Sequence, residues 1–209
     1  MEIVTKYFTE FTDKQLQQLE QLKALYTDWN EKINVISRKD IDSLYEKHIL
    51  HSLSIAAIFE FNDGVKILDL GTGGGFPGIP LAIFFPNVSF HLVDSIAKKL
   101  KVVQAIADEL GLTNVTTQHS RVEDVKNRKF DYVVSRAVAP LKDLWNWSRP
   151  LITTQPTQTL NHAPGLICLK GGDLNIEIQE SQTKPKVIDI TGLYTEDYFK
   201  EKFILYITR

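Results

Sequence analysis

The residues best suited to chemistry lie in one run, Asp69-Leu70-Gly71-Thr72-Gly73-Gly74-Gly75-Phe76-Pro77-Gly78. Glycine fills four of the five positions from 71 to 75. Ordering such a stretch costs unusual backbone entropy, and the return is a chain that turns sharply beneath a ligand and points amides at it. Gly71 and Gly73 permit the turn. Exposed amides of the turn, with those opening the next helix, supply hydrogen-bond donors to such a ligand. Asp94 comes 23 residues after Gly71, at the end of the next expected strand, where an acidic side chain accepts both hydroxyls of a ribose. Taken alone, an aspartate there caps the following helix; the glycine run beside it favours the sugar. Two phosphate-binding patterns are excluded. A dinucleotide fingerprint needs glycine at position 76, where Phe76 stands, and no Lys-Ser/Thr pair completes a P-loop.

No other cluster suggests a catalyst. The single cysteine, Cys168, lies in an apolar run and reads as core. It leaves no internal disulfide and no cysteine-rich zinc site, which fits a reducing compartment. His48 and His51 lack an acidic third ligand at metal spacing, so they read as anchors of a helix rather than metal ligands. Formal charge is −2, which excludes a globally basic nucleic-acid coat. Its distribution is uneven: net −4 over 1–63, +3 over 64–150 and −1 over 151–209. Lys98, Lys99 and Lys101 open a helix beside the glycine edge, Arg121 and Arg136 end neighbouring strands, and Lys126, Arg128 and Lys129 add charge near the same edge. Phe76 is either a stacking platform or ordinary packing, while Trp145 and Trp147 read as packing residues.

Strands and helices must hold these residues in place. Thr12 and Gln15 resemble a capping box, and Leu16, Leu19, Leu22, Tyr26, Trp29 and Ile33 follow at helical steps. Lys14, Gln18, Gln21 and Asp28 are expected to face water. Asp40 is expected to cap a second helix carrying Leu44, Tyr45, Ile49, Leu53 and Ala56, before an Asn62-Asp63-Gly64 turn. Residues 1–63 therefore read as a helical cap and 64–209 as the main domain. From Val65 on, strand alternates with helix: strands at 65–70, 88–93, 115–118, 132–135 and 165–169, with helices from Ile79, from Ser95 or Asp94 to Leu110, and over 141–147. Lys186–Asp189 and Phe203–Ile207 complete the sheet as an antiparallel pair. Such a pattern implies an open α/β sheet with ligands at its carboxyl edge. The polar segment from Ile152 to Pro164 has no period and reads equally as a functional loop or a tolerated insertion. Acidic side chains outnumber lysines over residues 1–20, and no apolar run approaches about 20 residues, so neither an export signal nor a membrane span is expected. A cytoplasmic protein is expected by default.

The pattern Asp-x-Gly-x-Gly-x-Gly at 69–75 resembles motif I of class I S-adenosylmethionine-dependent methyltransferases, whose ligand carries a carboxylate and an ammonium. Gly75-Phe76-Pro77-Gly78-Ile79-Pro80, Asp94-Ser95 with Lys98-Lys99, Arg121-Val122-Glu123, Ser135-Arg136-Ala137-Val138-Ala139 and Lys170-Gly171 narrow the match. Together they resemble the bacterial ribosomal RNA small-subunit methyltransferase G family, also called glucose-inhibited division protein B. Asn34-Val35-Ile36-Ser37 and Lys47-His48-Ile49-Leu50-His51-Ser52-Leu53 look like its cap signatures. The resemblance runs from about residue 25 to the end of the chain. It implies a Rossmann-like, seven-stranded, mostly parallel sheet with an N-terminal helical cap, and methyl transfer from S-adenosyl-L-methionine to N7 of one guanine in 16S ribosomal RNA. It also implies no membrane partner, and a monomer is expected. The expected cofactor positions are Asp69, Gly71, Gly73, Gly75, Phe76, Asp94, Val122, Glu123 and Arg136. His51 departs from the aspartate of many members, Ile36-Ser37 from the commoner Leu-Thr, and the 153–164 loop looks longer. Guanine N7 carries a free lone pair, so transfer needs alignment and charge placement rather than a general base, and no catalytic residue is expected. Arg121 or Lys170 is the expected RNA contact. The rival readings are a methyltransferase acting on a small molecule or protein, and a noncatalytic ribosome-assembly factor that binds the RNA without modifying it.

Overall fold

The computed structural model describes residues 1–37, 39–136, 139–156 and 159–209. Arg38, Ala137, Val138, Thr157 and Gln158 lie outside them, so two positions of the Ser-Arg-Ala-Val-Ala motif and two of the polar loop are not described.

Seven strands form one sheet in the order β3-β2-β1-β4-β5-β7-β6. They are β1 (Lys66–Leu70), β2 (Ser89–Asp94), β3 (Val115–His119), β4 (Tyr132–Arg136), β5 (Gly165–Gly171), β6 (Lys186–Asp189) and β7 (Lys202–Thr208). The first five are parallel, and β7 runs antiparallel to both β5 and β6, as the sequence pattern implies. Strand order reverses between β1 and β4, which opens the crevice where such sheets bind ligands.

Both faces of the sheet are covered, which is why its central strands read as unbroken apolar runs. Alternation divides them: Ile67, Phe90, Val134, Ile167 and Leu169 enter one core, and Leu68, Leu70, Val93, Val133 and Cys168 the other. The first core also takes Leu19, Leu22, Tyr26, Leu44, Ile49 and Leu53, so the N-terminal helices and the sheet share one apolar interior. The second is closed by α6 (Leu141–Ser148) and by α7 (Asn175–Ser181), an element without a clear sequence signal.

The N-terminal region holds α1 (Glu2–Thr5) and α2 (Asp13–Lys32). The capping box at Thr12 forms: its amide donates to Gln15 Oε1 at 2.8 Å, and Gln15 N donates to Thr12 Oγ1 at 3.4 Å. Gln15 Nε2 also donates to the Ile83 and Phe84 carbonyls at the end of α4 (Gly78–Phe84). Gln18, expected in water, is buried and donates to the Leu110 carbonyl beyond α5 (Ala97–Glu109). The last carbonyls of a helix have no partner inside it, and these two glutamines supply donors while docking α2 on the ends of α4 and α5. The second expected helix is mostly a π-helix, Tyr45–Leu50, running into the short α3 (His51–Leu53). Asp40 does not cap it; its carboxylate binds Lys47 Nζ at 2.8 Å, which holds its pKa down.

Candidate ligand-binding site

The glycine run forms the turn from β1 into α4. Gly71 N and Thr72 N both donate to the Val93 carbonyl at the end of β2, at 2.9 and 3.0 Å. Gly71, Gly73 and Gly75 have φ of +68°, +57° and +94°. A Cβ on Gly75 would stand 2.8 Å from Ile79 Cγ1, and one on Gly78 2.7 Å from Asp69 Oδ2, so packing forbids side chains there. At Gly73 only the Gly71 carbonyl lies within 4 Å, at 3.9 Å. Gly73 is therefore the glycine whose missing side chain leaves room on the open face of the turn.

Asp69 lies beneath that face, fully buried. Its Oδ2 accepts from Thr72 Oγ1 at 2.6 Å and from Gly78 N at 2.8 Å, so it takes up the first amide of α4. Oδ1 has no partner among the described residues, and burial pushes the carboxyl up to about 7. Asp94 Oδ2 accepts from Gly73 N and Oδ1 from Ile96 N, each at 2.8 Å. It thus braces both the turn and the approach to α5. A carboxylate accepts about four hydrogen bonds, so capacity remains for a ligand.

Two cavities meet at this aspartate, sharing Gly71, Asp94 and Ser95. One, about 400 Å³, is lined by Gly73, Phe76, Lys99 and Arg136. The other, about 290 Å³, is lined by Arg121, Val122, Glu123 and Trp147. A third, about 1000 Å³, lies over the carboxyl ends of β4 and β5 and shares Arg136 with the first. Small-molecule sites occupy roughly 300–1,000 Å³.

The N-terminal helices shape the first cavity. Tyr26 Oη donates to the Gly74 carbonyl at 2.6 Å, and the Tyr26 ring stacks on Phe76 at 5.0 Å. Asn30 accepts from Val35 N and Ile36 N and donates to the Ile36 carbonyl, which presses Val35 over Gly74. Phe76 is 3% exposed, packed by Tyr26, His48 and the Arg136 guanidinium, so packing is its role here. Arg136 donates to the Lys47 carbonyl at 3.0 Å and to His48 Nδ1 at 2.8 Å. Burial and then Arg136 lower His48 to about 3, which keeps the ring a neutral acceptor. Burial also lowers Arg136 itself, and no carboxylate among the described residues pairs with it.

Asp94, Gly71, Gly73, Phe76, Val122, Glu123 and Arg136 all line these cavities, whereas Asp69 and Gly75 support the turn from behind. Sequence reasoning missed Tyr26, Val35 and Trp147. Lys170 is not free for RNA: it donates to Glu177 Oε1 at 2.5 Å and to the Ala139 carbonyl at 2.7 Å. Arg128 bonds His91 within β2, and Lys129 reaches the Pro150 carbonyl. Phe130 and Asp131 bond Leu151 and Lys66 at the amino edge of the sheet, so Arg128 and Lys129 lie away from the site. The described part of the polar loop also docks there: the His162 carbonyl accepts from Tyr132 Oη, and Thr159 O from Asn62. No group of residues suited to a metal occurs among the described residues, and none of their helices is long and apolar enough to cross a membrane.

The model of the family described as rRNA small subunit methyltransferase G matches residues 15–199. The chain belongs to this family. The ribosomal RNA small subunit methyltransferase G of Phocaeicola vulgatus is 54% identical over 208 residues, covering 100% of this chain and 98% of that protein. The Porphyromonas gingivalis protein of the same name is 53% identical, over 99% and 92% of the two chains. Among solved structures, a variant of MtNAS in complex with S-adenosylmethionine superposes with a TM-score of 0.60 at 13% identity, over 93% of this chain and 76% of that one. A SAM-dependent methyltransferase from Aquifex aeolicus gives 0.55 at 14%, over 82% and 98%. Membership in the methyltransferase G family thus coincides with the general methyltransferase fold, and the family is S-adenosylmethionine-dependent.

Proposed function

We propose that this chain transfers the methyl group of S-adenosylmethionine to N7 of a guanine in 16S ribosomal RNA. One observation carries the reading: a glycine turn with an adjacent carboxylate lines a small-molecule cavity, and Arg136 lines both it and a larger cavity at the same sheet edge. The residues fit the ligand. Amides of Gly71–Gly75 suit its carboxylate, the unpartnered Asp69 Oδ1 suits its ammonium through water, and Asp94 suits its ribose. Val122, Glu123 and Trp147 border the space left for the purine base.

S-adenosylmethionine supplies a methyl group already activated on a sulfonium. The protein therefore has no proton to remove from the acceptor, and its work is alignment, water exclusion and charge placement. Phe76 and Val35 exclude water near the turn, and Arg136 sets the boundary with the acceptor side. Residues 1–63 act as the cap that holds Gly74 and Arg136, and 64–209 as the transfer domain. Arg121 and the exposed Lys98 and Lys101 steer the RNA, making binding salt-dependent. The relatives' names support a small-subunit RNA acceptor, and the sequence resemblance supports guanine N7. A cytoplasmic monomer is part of this reading. Incubating the protein with the cofactor and unmodified 16S RNA, then digesting to nucleosides, is expected to yield 7-methylguanosine. Another methylated nucleoside, or none, overturns it.

A further inference from the structure

The larger cavity contains a carboxylate fixed in place. Glu177, on α7, accepts from Lys170 Nζ at 2.5 Å and from Leu141 N at 2.7 Å, both through Oε1. Lys170 is held in turn by the Ala139 carbonyl, and the Lys170 and Glu177 side chains are only 10% and 24% exposed. One oxygen is occupied, and the other, Oε2, forms no hydrogen bond among the described residues, in a side chain that lines the cavity. A second wall is also incomplete. His51 Nδ1 meets the Tyr198 hydroxyl at 3.1 Å, and that hydroxyl donates to the Lys47 carbonyl at 3.2 Å. Nδ1 therefore carries the ring proton, which leaves the buried Nε2 a bare lone pair without a partner among the described residues. Glu177 and His51 both line the cavity, and each keeps an acceptor atom unfilled, which suits an occupant rich in hydrogen-bond donors.

We propose that Glu177 Oε2 accepts a hydrogen bond from the exocyclic amine of the acceptor guanine and thereby selects guanine. The inference rests on the guanine-N7 reading above. A guanine carries N7 and O6 on one edge and the amine on the other. Arg136 and Glu177 line the same cavity, so a guanine with N7 turned to Arg136 has its amine edge free to meet Glu177. Adenine has no donor at that carbon, so it leaves Oε2 desolvated without a partner, a larger loss than the mean worth of one hydrogen bond. Methylation forms one N–C bond, returns the S–C electron pair to sulfur and leaves the purine ring positively charged; no proton moves. A fixed carboxylate on that ring binds the charged form more strongly than the neutral one, so Glu177 favours the transition state as well as the correct base. Lys170 then acts as a positioning residue, holding the carboxylate at one angle.

The test uses full-length protein and 16S RNA ligated to carry guanosine or inosine, which lacks the amine, at the acceptor position. RNA affinity in the presence of S-adenosylhomocysteine is read by fluorescence anisotropy, and transfer by single-turnover kinetics. Wild type is expected to favour guanosine roughly 10- to 100-fold, the worth of one hydrogen bond to a charged group. In Glu177→Gln the gap closes to about threefold or less while S-adenosylhomocysteine affinity is unchanged. An undiminished gap in E177Q overturns the proposal. So does a wild type that treats the two RNAs alike, a comparison that needs no variant to fold. A wild type that methylates neither RNA at the purine removes the guanine-N7 reading first and this inference with it.

Discussion

Gly73→Ala separates ligand binding from folding more cleanly than any other change at the turn. Gly73 has φ +57°, and its added Cβ meets no atom nearer than 3.9 Å. The folding penalty is therefore that of a left-handed non-glycine residue, roughly 1–2 kcal/mol. For a chain of this size that lowers Tm by roughly 2–4 °C per kcal/mol. The new methyl group projects into the cavity of about 400 Å³ that the turn lines. It holds a bound ligand off the amides, losing one or two charge-assisted hydrogen bonds and so roughly 10- to 100-fold in affinity. Gly75→Ala is the control: its Cβ would stand 2.8 Å from Ile79 Cγ1 and 3.1 Å from Tyr26 Oη at φ +94°. That variant is expected to lose more stability than G73A. Calorimetric titration with S-adenosylhomocysteine, paired with thermal melts, reads both quantities. A G73A protein that binds within about threefold of wild type refutes the assignment of this turn.

Tyr26→Phe leaves the Gly74 carbonyl without its buried donor; it is expected to cost about 1–3 kcal/mol in urea unfolding and to weaken cofactor binding through the same turn. Asp94→Asn keeps a side chain of the same size but sets an amide donor against Gly73 N or Ile96 N. Its cofactor affinity should fall further than its melting temperature, and equal losses would leave Asp94 as a brace only. His48 and His51 are both held near 3 by burial and then by Arg136. Below their free value of 6.5 the unfolded chain binds protons that the folded chain does not, so stability falls as pH drops from about 6.5 toward 3. At pH 5 this amounts to roughly 2 kcal/mol for each ring. Urea titrations at pH 7.5 and 5 on wild type and His48→Asn check it, and an unchanged pH dependence in the variant argues against a neutral, buried His48.

Much of the fold was legible because its signals are local. Thr12 and Gln15 state the start of α2 three residues apart, and Gly111 stops α5 at φ +63°. The apolar runs of β1, β2, β4 and β5 follow from burial on both faces. Helix α7 gave a weaker signal: its N-cap residue is Leu174, the amide of Asn175 is taken up by Asp173 one residue earlier, and Gln182, not glycine, takes the left-handed position that ends it. Asp40 looked like a cap because spacing does not reveal that Lys47 would claim its carboxylate. The site divides the same way. Gly71, Gly73 and Asp94 stood out by type and spacing. Tyr26 reaches Gly74 across 48 residues and Arg136 reaches His48 across 88, partnerships that only the closed structure brings together. Lys170 reads in the sequence as a candidate RNA contact for the same reason; its partners, Glu177 and Ala139, lie on α7 and on the segment before α6.

In the proposed reading the turn, Asp94 and the pocket beside Trp147 hold one nucleoside amino acid whose reactive end faces the cavity past Arg136. A crystal structure of the protein with S-adenosylhomocysteine tests it most directly. Sugar hydroxyls are expected on Asp94, the base beside Val122 and Trp147, and sulfur at the Arg136 boundary opening toward Glu177. A ligand whose sulfur points away from that boundary, or whose sugar avoids Asp94, would contradict it.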